Sequence, residues 1–403
     1  FCTLLRERAR KMNKTVAVVA VLALCLAVVS AKKHFGGPKA HELTASYTFE
    51  QYQRDFRKQY RSVAEHDRRA KNFARSLKEA VEHNAKPGMM YKKGVNKFSD
   101  WDDIELARLR GGRHDPTMKT KSASGFVSSG LKALPASLDY RQHFPPVLTA
   151  VKDQGQCGDC WAHSVTEAIE SSYAIATGQL FTLSQQQVTA CTPMYGSCYS
   201  CDGNYPVLAY EYAVENGITE EWIYPFASYN GTNVNCSATP YTETAVNTIV
   251  NISGYTMVGN NSQEDFVSAL NELGPLSILV DASSWSSYES GIFNGCDYSQ
   301  NISLDHAVQV VGYGAENGTE YWIVRNSWAP SWGELGFIRL LKTRVAECGW
   351  NVGAAYPSDC VGSGPSATWA CGECGILFSP TFPTASPASS SSAQASSGSI
   401  PSS

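Results

Sequence analysis

Thirteen cysteines in a chain of 403 residues are more than a reducing compartment ordinarily accommodates, and they point to a protein that folds where disulfides form. The N-terminus agrees. Arg6, Arg8, Arg10, Lys11 and Lys14 precede an apolar run from Val16 to Val29, followed by the small residues Ser30 and Ala31. Basic stretch, apolar stretch and small-residue cleavage site are the parts of a secretory signal peptide. The run falls short of the roughly 20 residues that span a bilayer, so no membrane attachment is expected once residues 1–31 are removed. Met12 opens a more ordinary signal, which makes residues 1–11 candidates for sequence upstream of the true start. Sequons beyond the signal begin at Asn230, Asn235, Asn251, Asn260, Asn301 and Asn317. Glycan is expected on all but Asn235, which precedes a cysteine expected in a disulfide.

A net charge of -4 argues against a nucleic-acid binder, and the average hides a division. Residues 32–130 hold 21 Lys and Arg against 12 Asp and Glu, whereas residues 131–357 hold 7 against 22. Two oppositely charged blocks are expected to attract each other, the more so at low salt. The periodicity predicts a helix over 47–60, where Phe49, Tyr52, Phe56 and Tyr60 fall on one face, and a second from Val63 to Asn84, ended by Pro87-Gly88. Residues 111–130, rich in Gly, Ser and Lys, read as an exposed linker open to proteolysis. A helix is predicted from Cys160 to Gly178, and strands over His306–Tyr313, Tyr321–Val324 and Phe337–Leu341, with a hairpin turn at Asn317-Gly318. A helical first part followed by a strand-rich second part is an α+β pattern. The residues after Pro380 turn Ser-, Ala- and Pro-rich and read as a disordered or glycosylated tail.

The chemistry concentrates in residues 154–164, Gln-Gly-Gln-Cys-Gly-Asp-Cys-Trp-Ala-His-Ser. A cysteine at a helix N-terminus meets the positive end of the helix dipole, which favours the nucleophilic thiolate. Such a nucleophile needs a base and the base needs an orienting partner. His306 stands at the start of a predicted strand, and Asn326 lies in Arg325-Asn326-Ser327-Trp328.

With Cys157-Gly158-Asp159-Cys160-Trp161 upstream of that His and Asn, the chain resembles the papain-like cysteine proteases, in particular the cathepsin L-like branch. Leu304-Asp305-His306-Ala307-Val308 and Asn326-Ser327-Trp328 are similar to the family's segments around its catalytic His and Asn. Gly94, Asn96, Phe98 and Asp100 match the Gly-x-Asn-x-Phe-x-Asp motif of cathepsin L-type propeptides. Glu65, Arg69, Phe73 and Asn84 match part of the longer propeptide motif, with Ser76 and Ala80 departing from it.

The resemblance implies a zymogen: signal 1–31, inhibitory propeptide 32–130, catalytic domain 131–357 with a helical left subdomain and an antiparallel barrel-like right subdomain, and an extension 358–403. It implies Cys160 as nucleophile, His306 as proton acceptor, Asn326 as its orienting partner, and Gln154 with the Cys160 N–H as oxyanion hole. Trp328 would shield the His–Asn bond. Gly203, Tyr205, Pro206, Leu279 and Ala307 would line the substrate cleft, with Gly353 as the floor of the main specificity pocket. Implied disulfides are Cys157–Cys201, Cys191–Cys236 and Cys296–Cys348, which leaves the pairing of Cys198, Cys360, Cys371 and Cys374 open; if all four pair with each other, Cys198 must reach the tail. Implied partners are protein and peptide substrates, the chain's own propeptide and cystatin-type inhibitors, acting on a monomer in an acidic lysosome-like or extracellular setting. Neither metal nor organic cofactor is called for.

Rival readings rest on particular residues. Cys157-x-x-Cys160 has the spacing of a dithiol redox motif, but Trp161 follows the second cysteine instead of preceding the first. Cys371-x-x-Cys374 with Cys360 has the look of half a zinc site, for which disulfides are the simpler account. An inert homologue that binds without cutting is suggested by Asp159, His163, Asn204 and Ala329, where the family usually has Ser, Phe, Gly and Gly. Asn204 threatens to crowd the third substrate subsite. His163 reads as a packing residue. His34, His41, His66, His83, His114 and His143, and the pair Glu220-Glu221, read as solvated.

Overall fold

The computed structural model describes residues 36–115, 118–130, 134–236, 248–352 and 367–386. The signal segment, His34, Gly353, Cys360 and the tail beyond 386 lie outside them.

Thr48 starts α1 (Phe49–Asp55), its hydroxyl accepting from the Gln51 N–H while the Gln51 side chain accepts from the Thr48 N–H, a reciprocal cap that satisfies two orphan donors. The helix stops short of the expected 47–60 because Phe56 caps it and Arg57 takes a positive φ of 53°. Tyr60 nevertheless returns to the same face and stacks on Phe49 at 5.8 Å. Ser62 caps α2 (Val63–Ala85), whose Phe73, Leu77 and Ala80 pack on Tyr52 in a small core. After β1 (Tyr91–Lys93) comes Asp100, buried and bonded by the hydroxyls of Tyr52 and Tyr60 (both 2.9 Å) and by Lys58 Nζ at 2.8 Å. A buried carboxylate is tolerable when so satisfied, and it anchors α1 to the turn leading into α3 (Asp103–Arg108).

Beyond β2 (Ala123–Gly125) and β3 (Leu138–Asp139) comes the central helix α4 (Cys160–Thr177), ended by Gly178 in the left-handed conformation (φ 75°). Residues Cys160–Ala174 are buried on every side. α5 (Gln185–Cys191) and α6 (Pro206–Asn216) cover one flank and the sheet covers the other. Burial forces the charges on α4 to pair: Glu167 faces Arg325 at 3.4 Å, and Glu170 takes Lys152 and the Thr149 hydroxyl.

The second half supplies β4 (Asn251–Met257), α7 (Gln263–Glu272), β5 (Leu276–Val280), β6 (Tyr288–Phe293), β7 (His306–Glu316), β8 (Thr319–Arg325), β9 (Phe337–Leu341), β10 (Cys348–Asn351), β11 (Thr368–Cys371) and β12 (Thr381–Ser386). The large sheet runs β1-β6-β9-β8-β7-β5-β12-β4-β2, with β3 on β7. Both ends of that path, β1 and β2, come from the stretch read as propeptide and linker, so the N-terminal part covers two edges that would otherwise be unpaired.

Two expectations about the C-terminal part are overturned. Residues 368–386 are not an appendage after 357: β12 lies between β5 and β4 inside the sheet, and Phe382 packs in the main core. Cys296 does not join Cys348. The β10–β11 register sets Cys348 opposite Cys371, to which it is bonded, and the turn after β11 brings Cys374 to Cys296. Cys157–Cys201 and Cys191–Cys236 form as expected. With Cys371 and Cys374 so bonded, neither pairs with Cys198, which is itself in a disulfide. The zinc reading of those cysteines fails for the same reason.

Candidate active site

Cys160 is the first residue of α4, fully buried, and the only free cysteine among the described residues. The Ala307 N–H points at its Sγ at 3.4 Å. β7 begins with His306, whose Nε2 is 2.8 Å from Asn326 Oδ1 at the end of β8, while its Nδ1 has no hydrogen-bond partner among the described residues. Trp328 stacks on the imidazole at 4.9 Å and closes the His–Asn bond from solvent. Gln154 is held from behind, its Oε1 accepting from the Ser327 hydroxyl at 2.6 Å, so that Nε2 faces the cleft. The Cys–His–Asn–Gln set is therefore assembled from the two halves of the chain, helix on one side and sheet on the other.

The cleft is filled by the chain's own residues 109–115. Gln154 Nε2 donates to the Leu109 carbonyl at 2.9 Å. Asn204 N–H donates to the Gly111 carbonyl at 3.0 Å, and Arg113 N–H donates to the Asn204 carbonyl at 3.1 Å. Gly112 N–H reaches the Asp305 carbonyl at 2.9 Å. The approach demands glycine: a Cβ on Gly111 would overlap the Gly158 carbonyl oxygen, and one on Gly112 would stand 2.8 Å from Leu279 Cδ2. Residues 111–115 are thus not the exposed linker that composition suggests. Arg110 forms an ion pair with buried Asp305 at 2.7 Å.

Burial dominates the electrostatics. It pushes the Cys160 thiol up to about 12, against the lowering effect of the Ala307 and Gly111 N–H groups, and pushes His306 down to about 3. Beneath this cover the thiol and imidazole both favour their neutral forms.

A pocket beside the cleft is lined by Tyr205, Pro206 and Leu279, as expected, and closed by Met257, Ser379 and Thr381. His114 and Asp115 enter it from the covering segment. Gly203 (φ 102°) lies against Gly111, and Ala307 against Gly112. Gly353 lies outside the described residues; the stretch after Cys374 supplies Ser379 to the pocket. A sequence signal for this existed: Cys348-Gly349 and Cys374-Gly375 are each followed, eight residues after the cysteine, by an aromatic residue and proline (Tyr356-Pro357, Phe382-Pro383). Spacing alone does not choose between them.

Other expectations shift too. Asn204 does not intrude on the cleft: its side chain is buried, with Nδ2 on the Pro193 carbonyl at 3.2 Å and Oδ1 on its neighbour's N–H. His83 is buried and bonded to the Tyr91 carbonyl, and Glu221 accepts from the Phe226 N–H. Neither is solvated, nor is His114.

The chain belongs to the papain family of cysteine proteases. A papain family cysteine protease domain matches residues 134–358, and a cathepsin propeptide inhibitor domain matches residues 49–106. A cathepsin L-like proteinase of Phaedon cochleariae is 35% identical over 307 residues, covering 74% of this chain and 89% of the relative. Cysteine proteinase EP-B 1 of Hordeum vulgare is 35% identical over 357 residues, covering 86% and 92%. The structure of digestive procathepsin L 3 from the Tenebrio molitor larval midgut superposes with a TM-score of 0.65 at 29% identity, covering 83% of this chain and 97% of that one. The protein is a cysteine endopeptidase in its cathepsin L-like proform, with the propeptide acting as its own inhibitor.

Proposed function

We propose that this protease cuts by attack of the Cys160 thiolate on a peptide carbonyl, with His306 taking the thiol proton and passing it to the leaving amine. Asn326 orients the imidazole through the 2.8 Å bond to Nε2. Gln154 Nε2 and the Cys160 N–H receive the developing oxyanion. The thioester is then released by water with His306 as base.

One observation supports this most: the propeptide occupies these same groups. The carbonyl held by Gln154 belongs to Leu109, whereas the backbone N–H beside Sγ belongs to Gly111. Both the nucleophile and the oxyanion donor are thus engaged by propeptide backbone, so the segment blocks the site.

The pocket of Tyr205, Pro206, Leu279, Met257 and Ser379 fits a large apolar side chain two residues before the cut. None of the described residues that the catalytic unit contributes to it carries a carboxylate, so Arg gains nothing there. Signal, sequons and disulfides support a secreted or lysosome-like destination. Asn230, Asn251, Asn260, Asn301 and Asn317 are exposed, as glycan acceptors must be. The test is hydrolysis of a peptide library by processed enzyme and by Cys160→Ala. Cleavage with Leu or Phe at that position, abolished in the variant and by an epoxide that alkylates Cys160, is the expected result. A wild-type enzyme that takes the label but cuts nothing would favour a binding homologue.

A further inference from the structure

Beyond the pocket, which Met118 and Thr120 line, residues 121–129 run along β4, and a carboxylate of the catalytic unit holds each end of that run. At one end Glu211 of α6 accepts from the Lys121 and Ser122 N–H groups, both at 3.0 Å, and from the Ser122 hydroxyl at 2.9 Å. At the other, Glu272 of α7 accepts from the Ser128 hydroxyl and the Ser129 N–H, both at 2.8 Å. Between them β2 pairs in parallel with Tyr255–Met257. The Tyr255 N–H donates to the Ser122 carbonyl at 3.1 Å, and the Phe126 N–H donates to the Met257 carbonyl at 2.9 Å. The Phe126 side chain packs against the main core.

The catalytic unit is shaped for this strand. Gly254 lies where the two backbones come closest, and a Cβ there would stand 2.6 Å from the Ser122 carbonyl oxygen. A glycine inside a strand marks such an approach. Glu272 is the last residue of α7, at the end whose dipole disfavours an anion, so its carboxylate gains from the donors that the linker brings. The other edge of β4 is taken by β12. Without the linker, β4 would be an open edge strand, ready to pair with an extended chain.

We propose that this edge of β4, with Glu211 and Glu272, is a strand-binding exosite whose occupant is the linker after it has been cut. The family match of the catalytic unit begins at residue 134. On the reading that processing cuts between residue 130 and that point, residues 109–115 and 121–129 belong to one excised piece. That piece grips the enzyme at two places, the cleft and the β4 edge. A ligand held at one place stays concentrated at the other, so the cut alone does not open the active site. Inhibition persists until the exosite lets go.

The test uses Cys160→Ala, cut by added active enzyme and washed free of its propeptide, so that probes bind without being cleaved. Two synthetic peptides of this sequence are compared by fluorescence anisotropy: residues 107–117, which carry the cleft contacts, and residues 107–130, which add the strand. The longer peptide should bind at least about tenfold more tightly. N-methylation at Ser122, Phe126 and Ser129 removes N–H groups that Glu211, Met257 and Glu272 accept from, and should cancel that gain. In Glu211→Ala the longer peptide should weaken by at least about threefold, with the shorter unaffected. Equal affinity of the two peptides overturns the proposal, as does a gain that survives N-methylation or Glu211→Ala. The N-terminus of processed wild type is a second check, since a cut before Lys121 leaves the strand on the enzyme and overturns it too. Failure of the catalytic reading would show differently, as a wild-type enzyme with no Cys160-dependent hydrolysis, and would leave these affinities unchanged.

Discussion

The amide of Gln154 donates to the carbonyl of Leu109 at 2.9 Å, so the group that would polarise a scissile carbonyl is spent on the propeptide. Two residues on, Gly111 lies against Gly158 and Gly203 with no room for a side chain. The inhibitory contact is thus mostly backbone on backbone, and it depends on glycine where the two chains are closest.

Gly111→Ala follows directly. A Cβ at 111 meets backbone, which cannot move aside as a flexible side chain would. The segment should lift from the cleft, and intact zymogen carrying this change should be labelled at Cys160 by an epoxide at least 10-fold faster, a loss of about 1.4 kcal/mol or more. An unchanged labelling rate would show that the cleft accommodates the methyl group.

His114 makes release acid-sensitive. Burial against Phe378 lowers its pKa to about 4, below the ordinary value near 6.5. The docked segment therefore binds fewer protons at this site than the released one, and docking weakens as pH falls from about 6.5 to about 4, by up to about tenfold per unit. Asp305 acts oppositely: burial raises it to about 7 despite Arg110, so its protonation favours the docked state as pH falls through 7. Between about pH 6.5 and 4 the two groups oppose each other, so the variant reads the His114 contribution: zymogen conversion on acidification should be slower in His114→Gln than in the wild type, and Cys160→Ala should stay uncut unless active enzyme is added.

Ser379 closes the pocket with no charge. Processed wild type should prefer Leu or Phe over Arg by at least about tenfold in kcat/KM, within the 1–3 kcal/mol that pocket contacts supply. Ser379→Glu places a carboxylate among Tyr205, Pro206 and Leu279 and should raise Arg cleavage selectively. Equal cleavage of Arg by the wild type would contradict the pocket assignment.

Ala329 sits at φ 72°, its N–H bonded to the Lys152 carbonyl at 3.0 Å. A left-handed backbone costs a residue with a Cβ about 1 kcal/mol relative to glycine. Ala329→Gly should raise unfolding stability by about that amount less the extra flexibility of the unfolded chain, with kcat unchanged, read by denaturant melts of the zymogen.

How much of this was legible in the sequence depends on range. Local patterns carried the elements whose causes are local: α2 with its Ser62 cap, α4 from Cys160 to its Gly178 stop, and the hairpin turning at Asn317 and Gly318. Motif resemblance carried the proform and named Gln154, Cys160, His306, Asn326 and Trp328 as the candidate site, because each stands in a distinctive short segment. The tertiary structure alone decided that the segment after Cys374 enters the sheet. β12 finds partners in β4 and β5 that no local pattern announces, and Cys374 and not Cys348 reaches Cys296. It also decided that Asn204 folds away from the cleft, that His83 is buried and that His114 and Glu221 are half-buried. Burial is a sum over neighbours distant in sequence, and no window along the chain contains them.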